Sequence, residues 1–103
     1  MKDTKVASVQ FEHAPGDKQA NLDKVRRFTA EAAEQGVELV VFPEMCVTGY
    51  WHLRDWSREQ LTALAEPVPG GPATEELLRL AKRHDWSLGA GLLEISDEGE
   101  LFN

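Results

Sequence analysis

Glu38-Leu39-Val40-Val41-Phe42-Pro43-Glu44 is the stretch on which the fold turns. The apolar, β-branched-rich run from Leu39 to Phe42 is short and sharply bounded, which predicts a buried strand rather than a helix. Pro43 has a fixed φ and keeps Phe42 extended, so the strand ends there and the direction in which Glu44 leaves it is set. Upstream, an amphipathic helix is predicted from Asp17 or Lys18 to Gln35. Leu22, Val25, Phe28, Thr29 and Ala32 fall on one face, with Lys24, Arg27, Glu31 and Glu34 elsewhere. Gly36 stands where a helix C-terminal glycine belongs. Before the helix, Lys5 to Glu12 reads as a strand with apolar residues on both sides, closed by the loop His13-Ala14-Pro15-Gly16-Asp17. Strand, helix and strand within about 40 residues form a βαβ unit, which predicts parallel pairing through a right-handed crossover.

Downstream of Glu44 the character changes. Pro43 to Trp56 is a loop holding Cys46, Gly49, Tyr50, Trp51, His52 and Trp56. Ser57 opens a short helix, with Gln60 three residues on completing a capping-box pattern. Pro67 to Pro72 is a turn-rich connection, and Pro72 suits the first turn of a helix reaching about His84. Leu77, Leu78, Leu80 and Ala81 are available for the buried face of that helix. Trp86 to Ile95 reads as a third strand whose Gly89 and Gly91 suggest a close approach by backbone or ligand. Asp97-Glu98-Gly99 signals a hairpin turn into a fourth strand at Glu100 to Asn103. No repeat or low-complexity segment interrupts the pattern.

The bulk properties narrow the function classes. A chain of 103 residues makes one domain. Its formal charge of −7 argues against a nucleic-acid partner, which calls for a basic stripe, and against an anionic membrane surface. No apolar run approaches the roughly 20 residues of a bilayer span, and no signal peptide is visible. One cysteine, Cys46, excludes an internal disulfide and suits a reducing, cytoplasmic setting. The first strand is followed by neither a GxGxxG nor a P-loop, so a nucleotide site has no support.

Glu44 is the leading chemical candidate. Working residues in open α/β sheets gather beyond the carboxyl ends of the strands, and Glu44 lies two residues past one. A carboxylate there, shielded by Tyr50, Trp51 or Trp56, would have its pKa raised by desolvation and serve as a general base. The plainer reading is a solvated loop acid.

The chain at this point resembles a known family. Val9-Gln10, the helical Asn21-Leu22, the run Leu39 to Glu44, Thr48-Gly49-Tyr50, Gly91-Leu92-Leu93-Glu94 and Leu101-Phe102-Asn103 resemble, in order, the start of the nitrilase/amidase carbon–nitrogen hydrolases. The resemblance implies a cysteine hydrolase in which a glutamate deprotonates a thiol that attacks an amide, nitrile or carbamoyl carbon. A lysine stabilises the tetrahedral intermediate, and water releases the acyl-enzyme. A base beside the thiol and a fixed cation for the oxyanion are what that chemistry needs. Glu44 matches the base. The family's lysine, nucleophilic cysteine and second glutamate belong to later segments, so residues 1–103 are expected to be a partial carbon–nitrogen hydrolase domain. That part is expected to be inactive without the remainder of the hydrolase chain. The implied fold is α/β, the N-terminal part of an α-β-β-α sandwich incomplete at its C-terminus, one sheet face uncovered, assembling as a homo-oligomer. The chain by itself is expected to be marginally stable or self-associating. The mechanism needs no cofactor and no metal.

Other candidates carry less. Met45, Tyr50 and Trp51 flank the base and are expected to line a substrate pocket, with aromatic packing under the loop as the alternative. Cys46 lacks the context of the family's nucleophile and reads as a small buried hydrophobe. Lys2, Lys5, Lys18, Lys24 and Lys82 read as solvated. His13, His52 and His84 have no metal-ligand spacing, and Glu94 reads as structural. Two readings compete with the enzyme: a catalytically inactive remnant or interaction module keeping the family's first half, and an α/β domain in which Glu44 is incidental.

Overall fold

The computed structural model describes residues 2–103; Met1, the first residue of the expected partial domain, lies outside them. Strand β1 (Val6–Ser8), helix α1 (Lys18–Glu34) and strand β2 (Leu39–Val41) form the predicted βαβ unit. After β2 come a 3-10 turn (Trp51–Asp55), α2 (Arg58–Leu64), α3 (Pro72–His84), β3 (Ser87–Gly89) and a hairpin of β4 (Glu94–Ile95) and β5 (Leu101–Phe102). The main sheet has the order β1-β2-β3, parallel throughout, with Val40 opposite both Ala7 and Leu88.

Local chemistry places the helix ends where the sequence put them. Asp17 caps α1 by accepting from the Ala20 amide at 3.0 Å, and Gly36 follows the helix at φ 72°. Ser57 and Gln60 make both halves of the capping box at the start of α2. Pro72 begins α3, which ends on Asp85 in the left-handed region.

The helices cover one face of the sheet. Leu22, Val25 and Ala32 of α1, Ala73, Leu77 and Leu80 of α3, and Val40 and Phe42 share one core, against which Ala7 and Leu88 pack. Side chains alternate along a strand, so Val6, Leu39 and Ser87 form one row on the opposite face, with Ser8, Val41 and Gly89 beside it. That face is open: Val6 is 54% and Val41 41% exposed. The uncovered face expected of a half-sandwich is therefore present. No helix among the described residues is long and apolar enough to cross a membrane.

Three readings of the sequence need correction. The first strand is shorter than Lys5–Glu12, although the Val9 amide still donates to Val41 O at 2.9 Å. The segment 86–95 is two strands, not one: after Gly89 the chain leaves the parallel sheet, and Glu94–Ile95 pairs antiparallel with Leu101–Phe102. Leu78 is 57% exposed, because α3 buries the stripe Ala73, Leu77 and Leu80 instead. The expected turn at Asp97-Glu98-Gly99 is there, with Gly99 at φ 83°.

Candidate active site

Glu44 stands beyond the carboxyl end of β2, where the Phe42 amide still bonds to Gly89 O at 2.8 Å before Pro43 ends the ladder. The chain then reverses sharply. Met45 has φ 54°, a conformation unfavourable for a side-chain-bearing residue, and its carbonyl accepts from the Gly49 amide at 2.8 Å.

Three contacts lock this turn from different directions. Asn21, fully buried on α1, donates to Val47 O at 2.9 Å and to Ala14 O at 3.0 Å, and accepts from the Ala14 amide at 2.8 Å. Gly16 donates its amide to Thr48 O at 2.9 Å, which ties the loop before α1 to the same turn. From the far side comes the segment after β3. A Cβ on Gly91 would lie 2.6 Å from Met45 N and 3.5 Å from Glu44 Cα, and Gly91 O accepts from the Val47 amide at 3.3 Å. Of the two glycines singled out in this segment, Gly91 makes the close backbone approach. Gly89 meets only Val41 at ordinary van der Waals distance.

A consequence is testable. Gly91→Ala pushes a methyl group into backbone rather than into a yielding side chain. It is expected to cost about 1–3 kcal/mol, the usual range for overpacking, measured by urea unfolding. A loss below about 0.5 kcal/mol would mean that the two segments separate freely.

The Glu44 side chain itself is exposed, and its Oε1 accepts from Asn103 Nδ2 at 3.0 Å. The aromatic shielding expected from the sequence is not found. Tyr50 is 50% and Trp51 73% exposed, while Trp56 packs against Gly16, where a Cβ would come within 2.5 Å of its ring. Met45, Tyr50 and Trp51 nonetheless come together, as walls of one cavity of about 300 Å³. Leu53, Arg54, Leu61, Leu93 and Asn103 complete the lining. Asn103 thus touches both the cavity and Glu44.

Cys46 is fully buried, its Sγ lies 3.6 Å from Gly91 O, and burial pushes its thiol above the ordinary range. It behaves as the small core hydrophobe the sequence suggested. Among the solvated lysines, Lys18 is a correction: its Nζ bonds to Glu66 Oε2 at 2.7 Å and to Leu64 O at 2.9 Å in a partly buried setting. Glu66, 5% exposed, carries no local sequence signal of this pairing. Its position before Pro67 hid its role, as did the sequence distance to its partner. No group of three or more His, Cys, Asp or Glu that could hold a metal ion occurs among the described residues.

His13 and His52 flank Gly49 of the same turn, and each has a buried Nε2 without a hydrogen-bond partner among the described residues. Burial first, then the charges of Lys24 and His52, lowers the His13 pKa below its usual value. The unfolded chain then binds the proton more readily than the folded one. Stability is full above about pH 6.5 and falls as the pH drops from there towards the folded value. Urea midpoints at pH 7.5 and pH 5.5 are expected to show this loss, and His13→Gln is expected to reduce it. An unchanged pH dependence in that variant would assign the loss to other groups.

The family model for "Carbon-nitrogen hydrolase" matches residues 5–103. The chain is 33% identical over 99 residues to a nitrilase of Pyrococcus abyssi, covering 96% of this chain and 36% of that protein. It is 30% identical to an omega-amidase of Xenopus tropicalis, covering all of this chain and 34% of that one. Among solved structures, the amidase from Nesterenkonia sp. AN1 superposes with a TM-score of 0.67 at 28% identity, covering 94% of this chain and 35% of that one. That structure carries acrylamide added at the amidase's active-site cysteine. The chain therefore spans about a third of the length of these relatives and corresponds to their N-terminal portion. With the α/β layers, the ordered motifs and the family match in agreement, this chain belongs to the carbon–nitrogen hydrolase family.

Proposed function

We propose that the chain is the N-terminal part of a cysteine-dependent hydrolase that cleaves an amide, nitrile or carbamoyl C–N bond, with Glu44 as general base. The observation that carries this reading is the placement of Glu44. It leaves the end of a central strand from a turn locked by Asn21, Gly16 and Gly91, and Asn103 links it to a small apolar cavity. Met45, Tyr50 and Trp51 are the proposed substrate-binding walls. A volume of about 300 Å³ is at the low end of ligand pockets and suits a small molecule.

In this mechanism the carboxylate of Glu44 takes the proton of a thiol, and the thiolate attacks the electrophilic carbon. Neither the thiol nor the cation for the oxyanion comes from this segment. Cys46 is sealed in the core with its pKa raised, and Lys18 is held by Glu66 and Leu64. The remainder of the hydrolase chain supplies both. That remainder also covers the open sheet face bearing Val6 and Val41, and the complete protein is a cytoplasmic homo-oligomer.

The same open apolar face favours a second reading, an inactive module that binds a partner through its sheet. Denaturing intact-mass analysis of purified material, with ammonia release from amides, nitriles and carbamoyl compounds, separates the two. The hydrolase reading expects a longer or second polypeptide and ammonia release that a thiol alkylator stops. A sample that leaves all three substrate classes untouched would overturn it.

A further inference from the structure

We propose that Arg54, held over the ring of Trp51, selects substrates that carry a carboxylate on a short apolar body. This inference rests on reading the cavity beside Glu44 as the substrate pocket. The cavity is walled by Met45, Leu53, Leu61 and Leu93, and Arg54 is the one charged side chain lining it. The Arg54 guanidinium carbon lies 4.2 Å from the Trp51 ring centroid. Among the described residues its only acidic contact, Asp55 Oδ2 to Nε, is 3.8 Å long, beyond hydrogen-bonding distance. Both terminal nitrogens are left for a ligand.

Two physical features favour a carboxylate. A guanidinium presents paired N–H groups that match the two oxygens of a carboxylate, and the ring beneath it restricts its rotamers, so less entropy is lost on binding. A salt bridge in open water contributes little, but a ligand whose apolar part fills the cavity excludes water from the pair and strengthens it. The rest of the surface gives the arginine a further task. The chain carries a formal charge of −7, and Glu44 adjoins the cavity through Asn103. An anionic substrate is repelled by Glu44 and attracted by Arg54. Its carboxylate therefore settles at Arg54, which leaves the uncharged C–N group to face the base.

The test is calorimetric titration of the purified protein with glutaric acid monoamide and with pentanamide, which differ chiefly in the terminal carboxylate. The wild-type protein is expected to bind the monoamide about tenfold more tightly, equal to roughly 1.4 kcal/mol. Arg54→Gln is expected to erase that preference, and Arg54→Lys to keep part of it. The Arg54 side chain is 54% exposed, so these changes leave the core untouched. Equal affinity for the two probes, no binding of the monoamide, or a preference that survives Arg54→Gln would each overturn the proposal. Ammonia release measured on the same samples keeps the two readings apart. A carboxylate preference without any hydrolysis would sink the hydrolase reading and leave Arg54 as a carboxylate-binding residue of a non-hydrolytic site, not a selector of substrates.

Discussion

In the complete hydrolase, Glu44→Gln is expected to lower kcat by about 10²–10⁴-fold, the usual contribution of a positioned general base. Glutamine is nearly isosteric and its amide oxygen can still accept from Asn103, as Glu44 Oε1 now does at 3.0 Å. Only the ability to take a proton is lost. Glu44 is exposed and belongs to neither buried core cluster, so the unfolding midpoint is expected to move little. The pairing of a large kinetic effect with a small thermodynamic one is what separates a base from a structural acid. Steady-state rates and thermal melts on the same preparation measure both. A variant that keeps more than about a tenth of the wild-type kcat would return Glu44 to the status of an incidental loop acid.

The largest effect on stability is expected at Glu66, where Glu66→Ala should cost about 3 kcal/mol, the lower end for breaking a buried ion pair from one side. Glu66 joins three elements at once. Its Oε2 accepts from Lys18 Nζ at 2.7 Å at the start of α1, and its Oε1 accepts from the Ala73 amide at 2.7 Å in the first turn of α3. Lys18 in turn donates to Leu64 O at 2.9 Å, the last residue of α2. The carboxylate also lies at the positive end of the α3 dipole. Removing it leaves the Ala73 amide without this acceptor and Lys18 without its counter-charge, yet Lys18 keeps Leu64 O and its side chain is 27% exposed, so water recovers part of the loss. Glu66→Gln keeps an acceptor for Ala73 and gives up only the charge, so it is expected to cost clearly less than alanine. Urea unfolding of the two variants decides the matter. Equal losses would mean that the cost lies in packing around Gly71, where a Cβ would come within 2.7 Å of Glu66 Oε1.

Much of this architecture was legible before the structure. The β-branched run ending at Phe42, the apolar stripe of α1 and Gly36 after it together specify strand, helix and parallel strand. Each of those signals is complete within a few residues. The Ser57–Gln60 box and the Asp97-Glu98-Gly99 turn are local in the same sense, since the partners are at most four residues apart. The place of Glu44 followed from Pro43, a constraint of one residue on its neighbours. The ordered motifs from Val9 to Asn103 carried the family, and the family match supports it.

Tertiary structure decided the rest, because the determining partner is far away in the chain. Asn103 reaches Glu44 across 59 positions, and Lys18 reaches Glu66 across 48, distances at which no periodicity or capping rule operates. Gly91 looked like a site of close approach, but only the fold shows that the approaching backbone is that of Glu44 and Met45. The strand predicted over 86–95 breaks after Gly89, and its far end finds distant partners instead: Glu94 and Ile95 pair with Phe102 and Leu101, and the Ile95 amide donates to Glu66 O at 3.0 Å. Leu78 satisfies the same helical period as its neighbours and still faces solvent, since what lies opposite α3 is set by the sheet and by α1. Local periods state which residues can be buried together; which of them are, and which charges meet, depends on how the chain closes on itself.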